Sequence, residues 1–166
     1  MRFWGAPGFI NDRLGGEKAL AWAQLPSTGA ESFAEDSWLV GSREALHVLA
    51  GSGVRLPWEQ IRTAGWDPDT NMLTVEPVDA SDPLRFVLDD AGRLLDLIRE
   101  RVTASVVLER PVPLRGIRGV CVVARRAPTG GPVTWSVDHP AGVDLTHPDI
   151  AEVVAAVLSD AQGELD

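Results

Sequence analysis

The sequence predicts an α+β fold: a small antiparallel barrel closed by a helix, then a strand-rich segment and a final amphipathic helix. Three observations carry that expectation. Residues 55–75 (RLPWEQIRTAGWDPDTNMLTV) read as a bent strand and hairpin, with Trp58, Ile61, Ala64 and Trp66 set among polar residues before a dense turn signal at 67–71. Near Asp89 the apolar period changes from two to about 3.6. A second helical stripe runs from Ile150 to Ala161.

The elements follow in order. Residues 1–16 place Phe3, Trp4, Phe9 and Ile10 among Gly, Pro and Asn. Four large apolar groups are costly in water, so this segment is expected to dock its aromatics on the body. Residues 17–25 (EKALAWAQL) alternate as a first strand, with Leu20 and Trp22 beside Lys18 on one face and Ala19, Ala21 and Ala23 on the other. Residues 26–36 form an acidic loop with Glu31, Glu35 and Asp36. Two short strands at 37–41 and 45–49 are joined by 42–44, and the GSG turn at 51–53 leads into the Trp58 strand.

Residues 83–88 alternate again, with Leu84, Phe86 and Leu88 sharing a face. Asp89 and Asp90 then offer carboxylates to orphan N–H groups and to the positive end of a helix dipole. Leu94, Leu97, Ile98 and Val102 form that helix's apolar stripe, opposite Arg93, Asp96, Arg99 and Glu100. Beyond it, residues 105–108, 120–123 and 133–137 are three more strands, the first placed at an edge or bent by Pro111 and Pro113. Thr146, His147, Pro148 and Asp149 make a capping-box-like start to the last helix, whose stripe is Ile150, Val153, Val154, Val157, Leu158 and Ala161. The expected organisation is a docking segment (1–16), a barrel (17–103) and C-terminal strands with a helix (104–166), together one compact unit.

Composition narrows the function classes. The chain has 166 residues, 45% hydrophobic and 23% charged, with a formal net charge of -9. An acidic surface repels phosphates and anionic headgroups, so neither nucleic acid nor membrane is an expected partner. Cys121 is the single cysteine and lies in the apolar run GVCVV (119–123), so it is expected as a small buried hydrophobe with no disulfide. No apolar run has the length of a membrane span, and Pro7 and Gly8 break any signal-peptide core, so a soluble cytoplasmic protein is expected.

The order of short antiparallel strands, a Trp-bearing middle strand and a closing helix over residues 17–102 resembles a pleckstrin-homology-like split barrel. The stretches GEKALAW (16–22), LPWEQI (56–61) with AGWD (64–67), GRLLDLIRERVTASVVL (92–108) and VVARRAP (122–128) resemble an uncharacterised actinobacterial protein family of about this length. That second resemblance implies no activity and no catalytic residues. The first invites phosphoinositide binding, but the loop at 26–36, where such domains carry basic residues, holds three carboxylates and no Lys or Arg.

No P-loop, dinucleotide fingerprint, nucleophile elbow or paired-His zinc motif is present. His47 alternates into a strand, where a hydrogen-bonded, half-buried imidazole is expected. His139 and His147 flank a loop with Asp138 and Asp144, but that Pro- and Gly-rich loop does not advertise the fixed geometry metal ligands need. The strongest feature is charge asymmetry: residues 99–126 hold seven arginines against Glu100 and Glu109. Three uses compete for them: an anion site, pairing with the chain's own or a partner's acidic surface, and an ordinary solvated face. The absence of aromatics from the window removes stacking platforms for single-stranded nucleic acid.

The reading is a non-enzymatic interaction or scaffold module, with no cofactor and no metal. Its binding residues are expected among Trp4, Trp38, Arg110, Arg115, Arg118, Arg125 and Arg126. The partner is a protein or a second copy of the chain, giving a homodimer. The alternative is a small-molecule or sensor domain whose pocket is lined by Trp4, Trp22, Trp38 or Trp66.

Overall fold

Alternating segments become strands and the two 3.6-period stripes become helices, so the chain is α+β, with three antiparallel sheets and three helices among the described residues. The computed structural model describes residues 7–26, 37–79 and 82–166. The chain divides into two compact units, residues 1–105 with 127–129, and residues 106–126 with 130–166.

The first unit begins with a short helix α1 (Gly8–Asp12) and a four-stranded meander, β1 (Ala19–Gln24), β2 (Trp38–Ser42), β3 (Ala45–Leu49) and β4 (Val54–Pro57), in that spatial order. A 3-10 turn over Trp58–Gln60 carries the chain into a second meander of β5 (Ile61–Asp67), β6 (Met72–Pro77) and β7 (Leu84–Val87). The bent strand expected at Trp58 is therefore two strands in two sheets. Trp58 makes the corner: its side chain is 0% exposed and its Nε1 donates to the Ser42 carbonyl at 3.0 Å. The sheets are hydrogen-bonded separately, with no closed ladder among the described residues. The β5–β6 turn is held by an Asx bond from Asp69 N to Asp67 Oδ1 at 2.9 Å, with Asn71 at φ 54°.

Helix α2 (Gly92–Ser105) contributes Leu94 and Ile98 to the core of this unit, where they join Leu39, Leu46, Ile61, Leu73 and Phe86. Leu97 and Val102 pack at its margin. Gly41 brings β2 close to this helix: a Cβ there would stand 2.6 Å from Leu97 Cδ2. The helix starts at Gly92 and not at Asp89, because Asp90 adopts φ 50°, a left-handed conformation incompatible with a helical turn. Ala91 O instead accepts from Leu95 N at 2.9 Å. The helix also runs through Ser105, so the strand expected at 105 begins at Val106.

The other face of the first sheet is covered too. Ile10 and Leu14 are buried with Ala19, Val40 and Leu49, and Trp22 and Trp38 pack beside them. The N-terminal segment thus docks through its aliphatic side chains. Phe9 stays 46% exposed, touching Trp38 at a centroid distance of 5.9 Å. The Phe3 and Trp4 positions lie outside the described residues.

The second unit is a three-stranded sheet ordered β10 (Val133–Asp138), β9 (Cys121–Arg126), β8 (Val106–Pro111), with helix α3 (Pro148–Leu165). β8 is an edge strand ending at Pro111, where a missing N–H disturbs no interior ladder. Val154 and Ala161 of α3 are buried with Val112, Val120 and Val122, and Ile150, Val153, Val157 and Leu158 pack against them. The cap of α3 is His147, not Thr146: its Nδ1 accepts from Asp149 N at 3.3 Å. Thr146 closes an Asx turn on Asp144 instead. No helix among the described residues is long and apolar enough to cross a membrane.

Candidate interaction surfaces

The arginine-rich segment separates into paired and unpaired members. Arg125, only 2% exposed, donates to Asp138 Oδ2 at 3.0 Å and to Ser136 Oγ at 2.6 Å. Register explains the arrangement: β9 runs antiparallel to β10, so Arg125 shares a face with the alternate residues Ser136 and Asp138. Arg110 grips the Glu164 carboxylate of α3 through Nε and Nη2, and adds a bond from Nη1 to Glu109 O at 2.9 Å. These two residues hold their own unit together.

Arg115 and Arg118 are different. Their connection folds back through Val112 N to Val120 O at 2.8 Å, and Leu114 and Ile117 form an isolated bridge. Gly116 at φ 73° takes the third position of that turn, a conformation only glycine adopts without strain. Val112, Leu114, Ile117 and Val120 join the apolar cluster of the second unit. Both arginines are exposed and make no hydrogen bond or ion pair among the described residues. An anchored turn therefore holds two guanidinium groups in solvent.

Arg126 lies on the opposite face of β9 from Arg125 and lines a cavity of about 430 Å³ with Trp135, Val133 and Gln162. Its Nε is buried without a hydrogen-bond partner among the described residues. Trp38 is half-buried on the outer face of the first sheet, its Nε1 also without an acceptor among the described residues. Trp4 lies outside the described residues. Trp66 packs at the margin of the first core, and Trp22 lines a separate cavity of about 360 Å³.

A polar cluster that the sequence reading missed sits on the first sheet. His47 is buried, not half-buried, and its Nε2 lies 3.2 Å from Ser42 Oγ and 3.3 Å from Glu17 Oε2. Ser42 Oγ donates within reach of Glu17 Oε1 at 2.8 Å and accepts from Ala45 N at 3.1 Å. Arg55 Nε donates to Glu17 Oε2 at 2.9 Å, with Glu44 3.6 Å from its Nη2. The Arg55 hydrogen bond holds the Glu17 carboxyl below its ordinary range, and burial pushes the His47 imidazole down. The signal was in the turn: a hairpin centred on Gly51 sets His47 directly opposite Arg55.

This cluster contains serine, histidine and a carboxylate, yet it is not wired as a charge-relay triad. Activation needs the nucleophile on one ring nitrogen and the carboxylate on the other. Here Ser42 and Glu17 both meet Nε2, and Ser42 is fully buried. Cys121 is half-buried rather than buried. Burial first, then Glu109, push its thiol up, keeping it protonated and weakly nucleophilic. No family model and no curated protein matches the chain, so its function is read from its own residues.

Proposed function

We propose that the chain is a non-enzymatic interaction module that uses the turn bearing Arg115 and Arg118 to grip an acidic protein surface. The observation that carries this is the contrast within one segment. Arg110 and Arg125 are satisfied by Glu164 and Asp138, whereas Arg115 and Arg118 are held outward on an apolar-anchored turn with no acidic partner among the described residues. Arginine's planar fork suits carboxylates, and pre-ordering the backbone lowers the entropy lost on binding.

The rest of the molecule supports the same reading. A four-strand meander, a three-strand meander and a helix follow one another in the order of a pleckstrin-homology-like split barrel, with α2 as its plug. Net charge of -9 and the lack of aromatics beside the arginines weigh against nucleic acid and anionic membranes, and fit a cytoplasmic protein partner or a second copy of this chain. The Ser42, His47 and Glu17 geometry weighs against acyl-transfer chemistry.

Capture from a native lysate tests the role, comparing the wild-type chain with Arg115→Ala/Arg118→Ala by quantitative mass spectrometry. A salt-sensitive, acidic species lost in the double variant is the expected result. Identical captures by both proteins overturn it.

A further inference from the structure

The second cavity of about 360 Å³ belongs to the first unit and is lined by Leu20, Ala21, Trp22, Asp90, Gly92 and Arg93. It lies where β1, an edge strand of its sheet among the described residues, meets the start of α2. The lining sorts by chemistry. Leu20 and Trp22, both half-buried, give an apolar wall with Ala21. Gly92 opens α2, where first-turn N–H groups lack intrahelical acceptors and the dipole is positive. A Cβ at Gly92 would meet nothing within 4 Å, so the approach to that backbone is open.

Arg93 adds a cation where the helix dipole gives it no stabilisation, and the first turn holds no acidic residue. Its five N–H donors can serve more than one acceptor. Among the described residues, Asp90 supplies the one carboxylate of the lining, and the backbone holds it at φ 50°, in the left-handed region where aspartate and asparagine are enriched. One wall is therefore apolar, one end is cationic and one group is anionic.

We propose that this cavity binds a free amino acid with a large apolar side chain. The ligand carboxylate sits on Arg93 and the first N–H groups of α2, its ammonium pairs with Asp90, and its side chain lies on Trp22, Leu20 and Ala21. Size agrees, since a cavity of roughly 150 Å³ holds benzene, leaving room for a phenylalanine- or leucine-sized side chain and its charged backbone. A phosphate or dicarboxylate meets repulsion from Asp90, a simple fatty or aromatic acid brings no ammonium to Asp90, and a simple amine brings no carboxylate to the start of α2. This inference goes beyond the interaction role and does not depend on it.

Calorimetry and tryptophan fluorescence on the full chain test it, with L-phenylalanine and L-leucine as probes. The comparison compounds are 3-phenylpropionate, which lacks the ammonium, and 2-phenylethylamine, which lacks the carboxylate. Saturable binding of both amino acids is expected, with each truncated compound weaker by roughly tenfold or more. Asp90→Asn keeps a residue that tolerates positive φ, and Arg93→Gln keeps a good helix former. Each is expected to weaken binding by roughly tenfold with the melting temperature unchanged. Three outcomes overturn the proposal: no saturable binding up to about 10 mM, 3-phenylpropionate binding as tightly as L-phenylalanine, or affinity unmoved in both variants.

Discussion

Glu17 Oε2 lies 3.3 Å from the Nε2 of His47, and the same carboxylate oxygen accepts from Arg55 Nε at 2.9 Å. One carboxylate thus faces a permanent cation and a buried imidazole. Burial favours the neutral ring despite Glu17, with Arg55 opposing its protonation as well. Between the lowered native value and the ordinary 6.5, the unfolded chain binds a proton that the native chain does not. Stability is therefore full above about pH 6.5 and falls as pH drops through that window, by at most about 1.4 kcal/mol per pH unit. Glu17, lowered from 4.5, contributes a second loss below about pH 4.5. Chemical denaturation from pH 8 to 3 is expected to show two steps, the upper one absent in His47→Gln. A variant curve that superimposes on the wild type assigns the upper step elsewhere.

Trp58 is the hinge between the two sheets of the first unit. Trp58→Phe deletes the donor to the buried Ser42 carbonyl and leaves space at a fully buried site. The unmet carbonyl costs about 1–3 kcal/mol, with the lost volume adding to it. Denaturant midpoints check this, and a loss below about 0.5 kcal/mol shows that the corner is held by other contacts.

The apolar stripes of α2 and α3 were legible because each is local, whereas the bend read at Trp58 is a break between two sheets. Leu94, Leu97 and Ile98 lie within one and a half turns, and Val154 and Ala161 within two. The start of α2 was not legible, because two consecutive aspartates look like caps whereas Asp90 turns left-handed. Glu17, His47 and Arg55 were not joined in advance, because their meeting depends on strand register and on a residue that precedes β1. Likewise the seven arginines read as one basic block until the sheet put Arg125 and Arg126 on opposite faces and α3 brought Glu164 to Arg110.

Ile98 tests the packing of α2. It is 1% exposed among the core residues of the first unit. Ile98→Asp places an unpaired charge there and is expected to cost several kcal/mol, on the order of 3–5. Thermal melting decides it: an unchanged transition removes α2 from the core.

Stability and binding should separate among the arginines. Arg125→Ala removes the almost fully buried guanidinium that donates to both Asp138 and Ser136, leaving Asp138 only the Ser136 hydroxyl, a loss of about 2–4 kcal/mol. Arg115→Ala and Arg118→Ala remove exposed groups with no partner in the described structure, so each should stay within about 0.5 kcal/mol of wild type. Equal destabilisation by all three replacements contradicts the division into structural and outward-held arginines.

Self-association follows from the same division. The exposed Arg115 and Arg118 belong to a segment carrying seven arginines against two acids, while the remainder of the chain is strongly acidic. A second copy of the chain therefore offers the kind of surface the turn is proposed to grip, and two-fold dimers are the commonest symmetric assembly. β8 also presents an open edge with Val107 42% exposed, guarded at its end by Pro111. A charge-driven contact weakens as salt rises, since screening shortens to about 3 Å at 1 M, whereas strand pairing across the edge does not. Light scattering at low and high salt is expected to give a dimer mass that falls towards monomer as salt is added, and a monomer at both for Arg115→Ala/Arg118→Ala. A wild-type monomer under both conditions directs the turn to a different protein, and a salt-resistant dimer moves the contact from the arginines to the β8 edge.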